Sequence, residues 1–145
     1  MYELKEKDIV NHLYNNWNKY FPDFVGCKKE YTIRDSRIDI LSSYKTDLYK
    51  IGIRPENDIC RFINAAVFAE VKYNNNDRDL MYELQKHIQF RNRYIECGKS
   101  YCYIMVISDG FDQYMLNFMR ENDIITYQYS IEDNDLETFK IWKIF

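Results

Sequence analysis

The segment "NAAVFAEVKY", residues 64–73, decides how this chain is read. It is apolar on both faces from Ala65 to Ala69, as a central strand is, and then sets Glu70 and Lys72 two positions apart. Side chains alternate across a strand, so these two share one face at the end of an otherwise buried element. Charges placed there are costly unless they have partners. A D/E-x-K triplet alone is weak, since chance supplies about two in a chain of this composition. The only other one here, Glu3-Leu4-Lys5, has no strand around it. It is the buried setting that singles out Glu70-Val71-Lys72.

A partner is available in "EYTIRDSRIDILSS", residues 30–43, which predicts a hairpin with strands at 29–34 and 37–43 turning at Asp35-Ser36. Ile38 and Ile40 fall on one face, and Arg37, Asp39 and Leu41 on the other. If this strand neighbours the one at 64–73, Asp39 and Glu70 converge. Two close carboxylates repel and call for a hard divalent cation with oxygen ligands, Mg²⁺ or Mn²⁺. The backbone carbonyl of Val71 is a further ligand within reach. Lys72, beside that cation, can hold or activate an attacking water near a scissile phosphate.

The remaining pattern is α/β. Residues 5–21 carry Ile9, Val10, Leu13, Tyr14, Trp17 and Phe21 at helical spacing, and Pro22 closes the helix. "NNND" caps a helix over 78–96 with Leu80, Met81, Leu84, Ile88 and Ile95 on one stripe. "YCYIMVIS" (101–108) reads as a buried strand, 112–121 as a third helix, and "IITYQYSI" and "TFKIWKIF" as closing strands. Asp39 and Glu70 are 31 residues apart, so 44–62 reads as an insertion, with a short strand at Tyr49–Ile53 and a turn at Pro55–Asp58. The chain of 145 residues suffices for one domain with a proper core. The expectation is a single domain over 1–145, with a mixed central β-sheet flanked by helices.

Composition narrows the functional classes. The N-terminus is charged and has no apolar leader segment, and no apolar stretch approaches the roughly 20 residues of a membrane span. That predicts a cytoplasmic protein with no membrane partner. Cys27, Cys60, Cys97 and Cys102 form no CxxC, which argues against zinc or an iron–sulfur cluster. The net charge of −3 is uneven, +2 over residues 1–108 and −7 over 109–139. An acidic chain does not coat nucleic acid indiscriminately, but it can grip it locally.

"RIDIL" (37–41), "FAEVKY" (68–73), an N-terminal helix bearing an acid, and a helix that opens with polar residues together resemble the PD-(D/E)XK nuclease superfamily. The resemblance spans roughly residues 3–130 and is nearest to the RecB-like and NucS-like subgroup. It implies a restriction-endonuclease-like core, in α-β-β-β-α-β-α-β order, and a metal-dependent nuclease. It makes Asp39 and Glu70 metal ligands, Lys72 the catalytic lysine, Gln85 the helix glutamine and Glu6 the acid of the first helix. Two of these have support of their own: Glu6 lies three and four before Ile9 and Val10, and Gln85 lies four after Met81 and three before Ile88. Inward polar groups at those positions need a partner. The subgroup's helix often reads Gln-x-x-x-Tyr, whereas here Gln85 is followed four residues later by Gln89. His12 and His87 read as helix-face and groove-side residues rather than as ligands.

Lys86, Arg91 and Arg93 suggest a phosphate-contacting rim, and Lys45 and Arg54 of the insertion suggest a second contact. A solvated helix face explains the first group equally well. The expected activity is Mg²⁺- or Mn²⁺-dependent hydrolysis of DNA, with single-stranded or branched regions as candidate substrates. RNA cleavage stays open, as does a degenerate nuclease-fold protein acting as a nucleic-acid-binding or inhibitory module. A homodimer would let one short domain address both strands.

Overall fold

Ile9, Val10 and Leu13 form the buried face of α1 (Glu6–Asn15). The Lys5 N–H donates to Asp8 Oδ2 at 2.8 Å and ties the first turn. The single helix expected over 5–21 is broken at Asn16, whose backbone sits at φ −117°, ψ 21°. Its side-chain Nδ2 donates to the His12 carbonyl at 2.8 Å, the local competition for backbone groups that makes Asn a poor interior helix residue. A short α2 (Trp17–Tyr20) follows, and Trp17 Nε1 donates to Ser42 Oγ at 2.9 Å, so that two buried polar groups satisfy each other.

The computed structural model describes residues 3–33, 36–44, 66–74, 77–96 and 103–145. Apart from Tyr44, the expected insertion at 44–62, with its strand and turn, lies outside the described residues. The strands are β1 (Phe24–Ile33), β2 (Ser36–Tyr44), β3 (Ala66–Lys72), β4 (Tyr103–Ser108), β5 (Ile125–Glu132) and β6 (Asp135–Lys143). The longer helices are α3 (Asp77–Glu96) and α4 (Gln113–Glu121). The first strand of the hairpin begins at Phe24 rather than near residue 29, with a register shift between Gly26 and Lys28.

The six strands lie side by side in chain order. β3, β4 and β5 are parallel, and every other pair is antiparallel. Parallel neighbours cannot be joined by a tight turn, which is why α3 and α4 sit between them. The sheet is thus mixed, with helices on both faces, as the sequence pattern predicts.

Two apolar layers hold it. On one face Val67, Ala69, Val71, Ile40, Met105 and Ile107 pack with α1 and α2. On the other, Ile104 and Val106 pack with Leu80 and Leu84 of α3 and Met115 and Met119 of α4. Strand alternation therefore sends Phe68 and Glu70 toward α3. Tyr129, buried in the α1-side layer, donates its hydroxyl to the Lys72 carbonyl at 2.6 Å and fixes the last residue of β3. Among the described residues no helix is long and apolar enough to cross a membrane.

Leu84→Ala, which empties a fully buried position, should cost about 2–5 kcal/mol of stability. Tyr129→Phe should cost only about 1 kcal/mol. Urea unfolding of both variants checks the ranking, and a Leu84→Ala loss below that of Tyr129→Phe would contradict the α3-side layer.

Candidate metal centre

The β2–β3 register runs antiparallel through Ile40 opposite Ala69 and Leu41 opposite Phe68. One step further along the same ladder sets Asp39 opposite Glu70. Side chains directly across an antiparallel pair share a face and come within about 5 Å at Cβ. The two carboxyls lie within hydrogen-bonding reach of each other, and Asp39 Oδ2 also accepts the Val71 N–H at 2.8 Å. The pairing of strands thus converts two residues 31 positions apart into one acidic site.

Glu70 is buried, at 3 % exposure, and Asp39 is half-buried. Burial, and then the charge of Glu70, push Asp39 up to about 8, against the pull of the Val71 N–H. Burial pushes Glu70 up to about 7, while the hydrogen bond from Asp39 and the charge of Lys72 act the other way. The pair titrates as a unit, with Asp39 the member that keeps its proton longer. Glu6, half-buried at the start of α1, reaches the Tyr73 backbone, and burial raises it while Lys72 lowers it. Lys72, half-buried on the same strand face as Glu70, is thus felt by Glu6, Asp39 and Glu70 together. Among the described residues no ion pair joins Lys72 to Glu70.

The side of the site formed by α3 differs from expectation. Gln85 is exposed, not inward. Successive helix residues are about 100° apart, so Gln85 and His87 lie roughly 160° apart around the axis and cannot both face the sheet. His87 takes the inward place. It is fully buried on the stripe of Leu80 and Leu84, and its Nε2 lies 2.7 Å from Glu70 Oε1. Burial lowers the imidazole to about 4, so the ring is neutral at pH 7. Half-buried Glu83, one turn before His87, completes a group: one oxygen each from Glu70 and Glu83 and one nitrogen of His87 lie within 4.8 Å of one another.

Glu70, Glu83 and His87 could therefore hold a metal ion, and so could Asp39 with Glu70, whose mutual repulsion a cation would relieve. Reading the sequence missed Glu83 and His87. The expected stripe of Leu80, Met81, Leu84, Ile88 and Ile95 puts Gln85 inward between Met81 and Ile88, whereas Leu80, Leu84 and His87 are the buried positions and Gln85 is exposed. The signal was present: His87 lies three after Leu84 and seven after Leu80. Glu83 and His87 are four residues apart, one turn of the helix, so they share its inward side.

Of the expected nucleic-acid rim, Lys86 lies half-buried with its Nζ 4.5 Å from the centre of the exposed Tyr82 ring. Arg91 donates to the Asn122 carbonyl at 3.0 Å, which binds α3 to the end of α4. The Arg93 side chain, Lys45 and Arg54 lie outside the described residues. His12 is half-buried, with Nε2 2.7 Å from the Tyr20 hydroxyl.

No family model and no curated protein matches the sequence. Among solved structures, the chain is similar to a repair endonuclease from Pyrococcus abyssi, at 12 % identity and a TM-score of 0.56, over 87 % of this chain and 47 % of that one. It is also similar to SfsA of Pyrococcus furiosus in complex with Ca²⁺, at 12 % identity and a TM-score of 0.42, over 95 % of this chain and 59 % of the other. This chain thus spans about half the length of the structures it matches. At such identity the likeness to the first of the two is one of fold alone: an α/β fold built on a mixed six-stranded sheet.

Proposed function

We propose that this chain is a divalent-metal-dependent nuclease that hydrolyses phosphodiester bonds in DNA. The observation that carries the reading is the cross-strand meeting of half-buried Asp39 with buried Glu70, two residues before Lys72. Asp39 and Glu70, with the Val71 carbonyl, would hold Mg²⁺ or Mn²⁺. Bound there, such an ion polarises a phosphoryl oxygen and lowers the pKa of a coordinated water.

The protein's own groups do the positioning. The Val71 N–H holds Asp39 in one rotamer, so the carboxylate is set before any ligand arrives. Tyr129 anchors the Lys72 carbonyl, which fixes the origin of the lysine side chain. From there Lys72 can orient a water against a phosphate and meet the negative charge that develops on it. Glu6 adds a carboxylate near Lys72 and Asp39, where it would tune the shell of a bound metal. Lys86 beside Tyr82 offers a cation and a ring to a passing nucleic-acid strand.

A second reading, a nuclease-fold module without catalysis, draws on one contact. The Glu70–His87 bond at 2.7 Å can satisfy Glu70 with no metal at all. Calorimetry with Mn²⁺ separates the two. The nuclease reading expects binding that weakens at least tenfold in Asp39→Ala; unchanged affinity in that variant would end it. Lys72→Ala should keep Mn²⁺ binding while cleavage of single-stranded, duplex and forked DNA falls on the order of 10²-fold or more. RNA substrates in the same assay decide the choice of nucleic acid.

The raised carboxyls also make the metal-free protein sensitive to pH. Folded Asp39 and Glu70 keep protons, up to about 8 and about 7, that the unfolded chain releases near pH 4. Buried His87, lowered to about 4, offsets part of this below about pH 6.5. The two carboxyls outweigh it, so the native state binds more protons across that interval and stability falls as pH rises. The stabilisation is complete below about pH 4 and is lost through pH 7–8. In EDTA the melting temperature should drop by about 5 °C or more between pH 5 and pH 8. Asp39→Asn should flatten that drop, and a flat parent profile would show that the two carboxyls do not share a buried site.

A further inference from the structure

We infer that Trp142, on the outer strand β6, is a stacking platform for an unpaired base of a nucleic-acid strand that crosses the sheet from Lys72. The inference rests on the nuclease reading only for where the strand meets Lys72.

Strand register carries it. Lys72 pairs with Ser108, Ser108 with Gln128, and Gln128 with Trp142. Paired residues share a face of the sheet, so these side chains form one row on the face that Glu70 shares with α3. The row ends three strand spacings from Lys72, at about 14 Å. A B-form strand rises about 3.4 Å per nucleotide, so no more than about four nucleotides fit between Lys72 and Trp142, and fewer when the strand is stretched. Trp142 thus stands within a few nucleotides of any phosphate that Lys72 meets.

The indole is left in the open. Further back on this face, α4 covers Ile104, Val106 and Ile124 with Met115 and Met119. Phe145 finds cover against the same layer, with Arg120 across its ring at 5.0 Å. Trp142, on an edge strand, stays 42 % exposed. The turn after β4 does not block the row. The Ser108 hydroxyl folds back onto the Gly110 carbonyl at 3.0 Å, and apart from its chain neighbours nothing lies within 4 Å of where a Cβ would stand on Gly110.

The surroundings choose the occupant. A protein face docking there would ask for apolar neighbours, but those of Trp142 on this face are Gln128, Ser130 and Lys140, the last two exposed. A lone indole beside hydrogen-bonding groups and an ammonium suits an unpaired base and the phosphate next to it. Acids bound the path. Glu132, Asp133, Asp135 and Glu137 lie beyond Lys140 at the β5–β6 turn and repel phosphates, whereas the Asp109 carboxylate is turned onto the Asn74 N–H at 2.9 Å. Every base has a π-face, so the platform grips a strand without reading its sequence. In a duplex those faces are already covered by neighbouring bases, and the site therefore favours single-stranded regions.

The test uses the full chain in EDTA, so that nothing is cut, with short oligothymidylate and oligouridylate as probes. The chain has two tryptophans and Trp17 is buried, so stacking should quench the emission of Trp142 alone. Either single strand should quench it, at concentrations at least about fivefold below those a duplex needs. Trp142→Phe should abolish the quenching while fluorescence anisotropy of a labelled strand still reports binding. Trp142→Ala should weaken that binding at least about fivefold. If Trp142→Ala does not fold, the quenching of the parent and its loss in Trp142→Phe decide the matter. Emission that single strands leave unmoved, quenching that persists in Trp142→Phe, or an alanine variant that binds as tightly as the parent overturns the inference. So does a parent dimer that Trp142→Ala splits into monomers, which makes the indole an interface between copies. Cleavage of the same oligothymidylate with Mn²⁺ reports separately on the nuclease reading: cutting without quenching keeps that reading and removes the base site, and quenching without cutting does the reverse.

Discussion

The site depends on the bond from the Val71 N–H to Asp39 Oδ2, 2.8 Å long. It joins a side chain of β2 to the backbone of β3 at the point where the two strands leave each other. Without it, Asp39 would turn away from the charge of Glu70. With it, two carboxyls are held face to face in a place from which water is largely excluded. The cost of that arrangement appears in the raised pKa of both, and it persists because the strands on either side are fixed by apolar packing.

Other contacts serve the same strand end from different directions. Tyr129 reaches from β5 to the Lys72 carbonyl, although β4 lies between those strands. Asp109, just past β4, accepts the Asn74 N–H at 2.9 Å, and Asn74 has a φ of 56°, a conformation that asparagine tolerates better than most residues. Trp17 pins α2 to Ser42 of β2, which sets the approach of α1 and hence of Glu6. The chain is therefore tied at Lys72 and again at Asn74, just past the end of β3. Such rigidity is what a constellation of charged side chains requires to keep its geometry.

How much of this was legible beforehand depended on periodicity. The buried strand at Val67–Val71 and the alternation of Asp39 with Ile38 and Ile40 could be read because a period of two admits only two faces. The mixed sheet followed from strands separated by helical segments. On a helix the resolution is poorer. The apolar arc of α3 is wide enough to include both Leu80–Leu84 and Met81–Ile88, and an error of one stripe exchanges Gln85 for His87. Asn16 divides the first helix through a side-chain bond that no hydropathy pattern records. The partnership of Glu70 with His87, 17 residues apart, is tertiary, and no local signal carries it.

The corrected helix register changes how the site handles charge. With Gln85 inward, the α3 wall would have been neutral at every pH. With Glu83 and His87 there, it brings one more acid and a neutral imidazole to a cleft that already contains Glu6, Asp39 and Glu70. Excess negative charge in a buried place is relieved by protons or by metal, and the two compete for the same oxygens. Below neutral pH the protons on Asp39 and Glu70 stabilise the metal-free fold and oppose the ion. Above it, an ion held there would meet less competition from protons. The strand end at "VFAEVKY" is thus neutralised by protons on the acid side, and a metal held there would compete with them for the same oxygens.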